Sequence, residues 1–371
     1  MRISPTPGAR LSAVASAFPP NRIDRETAVA GLVTLYPDES PSFLQDLVER
    51  SGIESRSIVP SVAEVLAPSD FTARNRRYRA AALELAERAA KQALDRARLE
   101  PHAIDVLVDV SCTGLVIPAL DVALAPRLGL SPAVRRIPIT ESGCAAGALG
   151  LSLAATLAQS RQRVLLVSVE LCSLTLVPGD RSRTNLVSSV IFGDGAAAAV
   201  IEPAGAEGAR EVAASKRVPP GAASKRVPRF EAVASHLIPG SEDAMGFDVG
   251  TGGLKILLRR DLPLILEEHL PPAIDRFLAD HGRTRADIGL HLVHPGGRRI
   301  LERYEALFNL APGALAYSRE SLRRYGNLSS ASILTVLELA LEAGFPLPPG
   351  KEALLVGVGP GLSLEFVLFS I

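Results

Sequence analysis

Apolar and polar positions change period several times along the chain, and each change marks a predicted element. From Arg77 to Leu99 (RYRAAALELAERAAKQALDRARL) the apolar residues, Leu83, Leu85, Ala89 and Leu94 among them, recur at helical spacing, which predicts an amphipathic helix. Ile104 to Val110 (IDVLVDV) is short and rich in β-branched residues and predicts a strand. Ala145 to Ala158 is apolar and small, as in a buried helix, and Arg163 to Val169 (RVLLVSV) is an almost unbroken apolar run, as in a buried strand. Val190-Ile191-Phe192 leads through the turn Gly193-Asp194-Gly195 into a further strand, Ala196 to Ile201. Strands alternating with helices predict an α/β fold.

The second half follows the outline of the first. His102 to Val108 (HAIDVLV) and Arg285 to Val293 (RADIGLHLV) each carry a short polar turn into an apolar strand, which suggests two related halves packed together. One exact duplication interrupts them: Ala-Ser-Lys-Arg-Val-Pro occupies 214–219 and again 223–228. Two copies of a short unit do not build a solenoid. With Pro219, Pro220 and Gly221 inside it, the segment 214–228 reads as a surface loop insertion.

Composition changes this picture mainly by exclusion. Forty Lys and Arg balance forty Asp and Glu over 371 residues, so no global field draws the chain to nucleic acid or to an anionic membrane. Three cysteines, Cys112, Cys144 and Cys172, make no disulfide framework, and an odd count suits a reducing compartment. There is no Trp and there are only five Tyr, so the core must be built from Ala, Leu and Val. The N-terminus Met1-Arg2-Ile3-Ser4-Pro5 lacks the apolar run of a secretory signal, and the apolar stretch after Cys144 is too short to span a bilayer. A cytoplasmic enzyme without membrane insertion is the expectation.

Three residues stand out as candidate chemistry. Cys144 lies in Glu141-Ser142-Gly143-Cys144-Ala145-Ala146-Gly147, at the start of a helix-forming run. Orphan N–H groups and the helix dipole there favour a thiolate, and small neighbours let a substrate approach; a small buried hydrophobe is the other reading. His294 is presented at a strand end, where Pro295-Gly296-Gly297 forces a turn. Asn327, in Tyr325-Gly326-Asn327-Leu328-Ser329-Ser330, precedes an apolar run and suits a helix N-cap as well as a functional amide. Gly357-Val358-Gly359-Pro360-Gly361 lacks both the Gly-Lys-Ser/Thr and the helix of a phosphate loop.

Together these motifs resemble one family, the type III polyketide synthases, the chalcone synthase-like branch of the thiolase superfamily. The resemblance rests on Ser142-Gly143-Cys144-Ala145-Ala146-Gly147, Phe192-Gly193-Asp194-Gly195, His294-Pro295-Gly296-Gly297, Tyr325-Gly326-Asn327-Leu328-Ser329-Ser330 and Gly357-Val358-Gly359-Pro360-Gly361. It implies a five-layered αβαβα thiolase fold of two pseudo-duplicated halves, with boundaries near 1–206 and 230–371 and the loop insertion at 207–229 between them, and a homodimer. It also implies roles: Cys144 as nucleophile, His294 as catalytic histidine and Asn327 as its partner. A cysteine carries the acyl group as a thioester, and imidazole and carboxamide N–H groups hold the enolate oxygen left when malonyl-CoA loses carbon dioxide. His294 would also favour the thiolate by ion pairing. Coenzyme A thioesters are then the substrates, and no metal or bound cofactor is needed.

By the same resemblance Cys112, Ile117, Phe192, Phe230, Ile256, Gly359 and Pro360 line the substrate cavity. Ile117 falls at the dimer-facing wall, Phe230 at one of two gatekeeper positions, and Ile256 at the other, where a ring is missing. Arg56, Gly296 and Gly297 fall at the coenzyme A end, and Cys172 reads as a packing residue. Glu170 to Thr175 and Met245 to Gly250 are most similar to bacterial alkylpyrone and alkylresorcinol synthases, which favours an aliphatic starter. The alternatives are a ketoacyl synthase III-like single condensation, whose histidine sits in a His-Gln-Ala-Asn context absent here, a malonyl-primed tetrahydroxynaphthalene-type synthase, a cysteine hydrolase and a non-catalytic scaffold.

Overall fold

The computed structural model describes residues 8–67, 69–177, 179–205, 227–250 and 252–371. The duplicated segment 214–228 falls outside them except for its last two positions.

Nine strands form one mixed sheet. Its order from one edge is Ile288–Val293, Glu352–Gly359, Ser363–Ser370, Arg229–Leu237, Ala9–Ala17, Asp194–Pro203, Val164–Leu171, Val106–Val110 and Arg135–Ile139. The two halves meet where Ala9–Ala17 touches Arg229–Leu237, at the single antiparallel pair Arg10–Arg229 and the Leu11 N–H to Pro228 carbonyl bond of 2.9 Å. Moving outward from that seam, each half repeats two antiparallel pairings and then a parallel one, and the first half adds a second parallel pairing with Arg135–Ile139 at its edge. The segments His102 to Val108 and Arg285 to Val293 take equivalent places, each a tight turn (Pro101–Ala103, Arg285–Asp287) feeding the parallel strand.

Side-chain parity then produces five layers. In Val164–Leu171, Val164 and Leu166 face the central helix Ala146–Gln159, whereas Leu165 and Val167 face the outer helix Phe71–Ala97. In Glu352–Gly359, Ala353 and Leu355 face the central layer, whereas Leu354 and Val356 face the outer helix Leu262–Asp280. Ala146–Gln159 and its counterpart Ser332–Glu342 form the middle layer. This is the αβαβα arrangement the resemblance implies, and it explains why the strands are apolar on both faces.

The element ends differ from the sequence reading for local reasons. The long helix starts at Phe71 rather than Arg77 because the Asp70 carboxylate caps it, accepting the Ala73 N–H at 2.7 Å. Val190 and Ile191, expected to open a turn, are the last residues of the helix Arg183–Ile191.

The middle layer is thin because its residues are small. A Cβ on Gly147 would lie 2.1 Å from the Ser330 carbonyl oxygen, and one on Gly357 2.6 Å from Ala148 Cβ. Gly147→Ala is therefore expected to overpack the contact between the two central helix entries and to cost about 1–3 kcal/mol. A urea midpoint that falls with an unchanged slope would bear this out, and an unshifted midpoint would refute it.

Candidate active site

Cys144 sits inside the tight turn Gly143–Ala145 that feeds the helix Ala146–Gln159. Gly143 has φ +49°, and a Cβ there would lie 2.4 Å from Pro360, so only glycine fits both the backbone and the packing. Gly359 supports the same turn from below, since a Cβ on it would be 2.4 Å from Ala145 Cβ. In the other half the turn Ser329–Ala331 feeds Ser332–Glu342 in the equivalent way. The two turns meet, with Cys144 Sγ 3.4 Å from Ser329 Oγ.

Asn327 precedes the second turn. Its side-chain oxygen accepts the Ser329 N–H at 2.8 Å and the Ser332 hydroxyl at 3.3 Å, and its amide nitrogen donates to the Gly296 carbonyl at 3.2 Å. The oxygen thus organises the turn, much as an N-cap would, and one amide hydrogen remains for a ligand. His294 extends the strand Ile288–Val293, its N–H donating to the Val356 carbonyl at 2.9 Å. The imidazole is buried, and its Nδ1 has no hydrogen-bond partner among the described residues.

Cys144, His294 and Asn327 line one cavity of about 880 Å³ together with Cys112, Phe192, Ile256, Gly296 and Pro360. Cys112 lies 3.5 Å from Ser329 Oγ and 3.4 Å from Glu170 Oε1. Cys172, expected only to pack, also reaches the cavity wall.

The remaining expectations need correction. Phe230 is in the core, its ring 4.8 Å from that of Phe369, because its strand turns that face toward the central helices. The ring at the far wall is Phe247, which pairs with Ile256 across the hairpin Met245–Gly250 and Gly253–Leu258 and lines the cavity beside it. Ile117, expected at a dimer-facing wall, is 99% exposed and so stands at the surface of the single chain, off the cavity that chain encloses by itself. Gly359 and Gly297 are likewise not on its wall; Gly297 precedes the helix Arg298–Leu307.

Arg56 touches the cavity but is buried and engaged. Its guanidinium donates to the Val190 carbonyl at 2.8 Å and the Ser189 carbonyl at 2.5 Å, at the C-terminal end of Arg183–Ile191, which ties down the helix wall rather than a phosphate. Asp194 of the Phe-Gly-Asp-Gly motif works alongside it. It accepts the Val59 N–H at 2.7 Å and the Ser173 N–H at 2.8 Å, and burial raises its pKa to about 6.

Glu170 escaped the sequence reading as a site residue. It is fully buried, accepts the Thr113 hydroxyl at 2.7 Å and the Cys112 N–H at 3.1 Å, and also takes the Ser330 hydroxyl. A lone acid in the apolar strand VLLVSVEL was the available signal.

Burial works against an isolated charge on either reactive group. It pushes the Cys144 thiol up to about 11, opposed by the Ser329 hydroxyl, and the His294 imidazole down to about 4. Transfer of the proton from thiol to imidazole creates two opposite charges at once, and the helix entered at Cys144 favours the anion. Both side chains line the same cavity, where a proton passed from the thiol to the imidazole would replace two separately disfavoured charges by an opposite pair.

Models of the chalcone and stilbene synthases match the chain as an N-terminal domain over residues 7–206 and a C-terminal domain over 229–371. A 1,3,6,8-tetrahydroxynaphthalene synthase of Streptomyces peucetius subsp. caesius is 37% identical over 365 residues, covering 97% of this chain and 93% of that protein. An alpha-pyrone synthesis polyketide synthase-like protein of Mycobacterium tuberculosis is 31% identical over 292 residues, covering 78% and 71%. The crystal structure of 1,3,6,8-tetrahydroxynaphthalene synthase from Streptomyces coelicolor A3(2), a bacterial type III polyketide synthase, superposes with a TM-score of 0.86 at 31% identity, covering 97% of this chain and 98% of that one.

An ion pair between Cys144 and His294 would have a pH signature. Alkylation by iodoacetamide needs thiolate, so its rate rises about tenfold per pH unit below the thiol pKa and levels off above it. In His294→Gln no imidazole takes the proton, and Cys144 should level off near the burial value of about 11. The unsubstituted protein should level off at lower pH, as peptide-resolved mass spectrometry can follow; superimposable profiles would rule the coupling out.

Proposed function

The chain belongs to the chalcone and stilbene synthase family, the type III polyketide synthases, and from that premise we propose that it condenses malonyl-CoA iteratively onto an aliphatic acyl starter held on Cys144. The observation that carries the proposal is the convergence of Cys144, His294 and Asn327 on one cavity with mainly aliphatic walls.

In the first step the Cys144 thiolate attacks the starter's thioester carbonyl, and coenzyme A leaves as its thiolate, which takes up the proton. Malonyl-CoA then loses carbon dioxide. The electron pair of the broken bond becomes an enolate, whose oxygen accepts hydrogen bonds from the His294 imidazole and the free amide hydrogen of Asn327. The enolate carbon attacks the Cys144 thioester, Cys144 departs as thiolate, and the chain is two carbons longer on coenzyme A. Reloading on Cys144 begins the next cycle, and the finished chain cyclises to an alkylpyrone or a resorcinol. Burial suits this sequence, because water near the enolate would quench it.

Arg260 and Arg299 line the cavity and enter no ion pair among the described residues, so they are the groups offered to coenzyme A phosphates. They take the role expected of Arg56. The resemblance to tetrahydroxynaphthalene synthases favours a second reading, priming by malonyl-CoA itself.

Labelled malonyl-CoA supplied alone and with acyl-CoA starters of graded length, with products resolved by mass, separates the readings. Elongated, cyclised products containing the starter are expected; tetrahydroxynaphthalene from malonyl-CoA alone supports the second reading, and free acids alone sink both. Cys144→Ala should abolish elongation. Asn327→Ala removes one donor to the enolate and should slow malonyl-CoA decarboxylation about 10²–10³-fold.

A further inference from the structure

The hairpin Met245–Gly250 and Gly253–Leu258 brings Phe247, Leu254 and Ile256 to the cavity wall, yet among the described residues its strands pair only with each other. A two-stranded hairpin is marginal by itself, so its place depends on what holds its tip. The turn Cys172–Leu174, after the strand Val164–Leu171, brings Cys172 and Ser173 to the same cavity.

One side chain joins these two parts of the wall. Arg74 is buried in the first turn of the helix Phe71–Ala97 and is not itself on the cavity wall. Its Nε donates to the Leu174 carbonyl at 3.1 Å and its Nη2 to the Gly252 carbonyl at 2.5 Å. Its Nη1 donates to the Ser69 carbonyl at 2.7 Å, which anchors the guanidinium to the start of its own helix. Three backbone carbonyls, two of them 100 and 178 residues away, thus end on one planar fork. A guanidinium presents its N–H groups in that fixed plane, whereas a lysine ammonium is a compact point charge.

The hairpin tip is shaped for the contact. Gly253 has φ +116°, and a Cβ there would lie 3.0 Å from both Arg74 Nη2 and the Phe71 ring. Glycine alone suits that backbone and lets the tip settle on the start of the outer helix. The hairpin's ion pair, Lys255 with Asp180 at 3.4 Å, involves an exposed lysine and holds little by comparison.

We propose that Arg74 is a positioning residue: by holding the hairpin tip and the Cys172–Leu174 turn on one guanidinium, it fixes the gap between these two parts of the wall and so limits the number of malonyl units a chain gains before it cyclises. The limit on chain length rests on the iterative-condensation reading above. Arg74 touches no reacting atom. It acts through Phe247, Leu254 and Ile256 on one side of the gap and through Cys172 and Ser173 on the other.

Hydrogen exchange followed by peptide mass, without substrate, tests the positioning. In Arg74→Ala the hairpin peptides should exchange about tenfold faster or more, the scale of a lost hydrogen bond to a charged group. Peptides of the helices Ala146–Gln159 and Ser332–Glu342 should keep their rates. Millimolar guanidinium chloride should restore slow exchange in Arg74→Ala, whose vacated site matches the ion, but not in Arg74→Lys, whose ammonium fills the site without spanning the three carbonyls. A general loss of stability would show no such rescue. With labelled malonyl-CoA and one acyl-CoA starter, the ratio of products carrying an extra malonyl-derived unit to the parent product should rise in both variants, and guanidinium should lower it again in Arg74→Ala alone. Unchanged hairpin exchange in Arg74→Ala, or faster exchange shared equally by the central helices without rescue, would overturn the positioning role. Faster hairpin exchange with an unmoved product ratio would overturn the limit on chain length. An unsubstituted protein that elongates nothing would overturn the condensation reading and that limit with it, and the exchange measurement would still decide the positioning role.

Discussion

Everything at the site depends on how closely the two central helices begin to each other. The Ser330 carbonyl oxygen occupies the space that a side chain on residue 147 would need, and Ala148 and Ala145 do the same opposite residues 357 and 359. Without glycine at those positions the turns carrying Cys144 and Ser329 would be forced apart by the width of a methyl group. A close-packed interior does not absorb such a change without shifting backbone. Alanine, leucine and valine fill most of the middle layer, and its rings, Phe230, Phe345 and Phe369, sit together in one cluster.

The close approach also decides the electrostatics. Two turns that meet in the interior bring their polar groups out of water together, so each must find a partner within the protein. Ser329 bridges Cys112 and Cys144, Asn327 braces the second turn from its own start, and Glu170 gathers Thr113, Cys112 and Ser330 beneath them. His294 is the exception, with a buried nitrogen unpartnered among the described residues. An unsatisfied donor or acceptor costs the fold about 1–3 kcal/mol. The imidazole itself lines the cavity, while this nitrogen is shut away from solvent.

Local patterns made the framework legible. The apolar run from Val164 to Leu171 announced a strand covered on both sides, and the small residues after Cys144 announced a helix with close neighbours. The five motifs marked the residues that converge, because each motif is needed for its own turn. The walls were less legible. Phe230 and Phe247 are both phenylalanines on strands, and only the register, with Phe369 opposite one and Ile256 opposite the other, tells which reaches the cavity. Arg56 suggested a phosphate contact because a cation near a tunnel is the simplest reading, while its actual partners, two carbonyls more than 130 residues away, leave no local trace. Glu170 needed only a stricter question, namely why an acid sits in a strand with no exposed face.

The division between legible and hidden follows the symmetry of the fold. Cys144 and Asn327 stand at the entries of paired central helices, and His294 follows one of the paired parallel strands, so these three side chains belong to the part of the chain built twice. The helices Arg25–Leu35 and Val62–Leu66 and the hairpin Met245–Leu258 pair with no equivalent in the other half's sheet. They line part of the cavity. Substitutions in the paired framework disturb both halves and the site between them. Cys144, His294 and Asn327 are thereby held by packing that resists change, while part of the cavity wall is built from segments outside that packing.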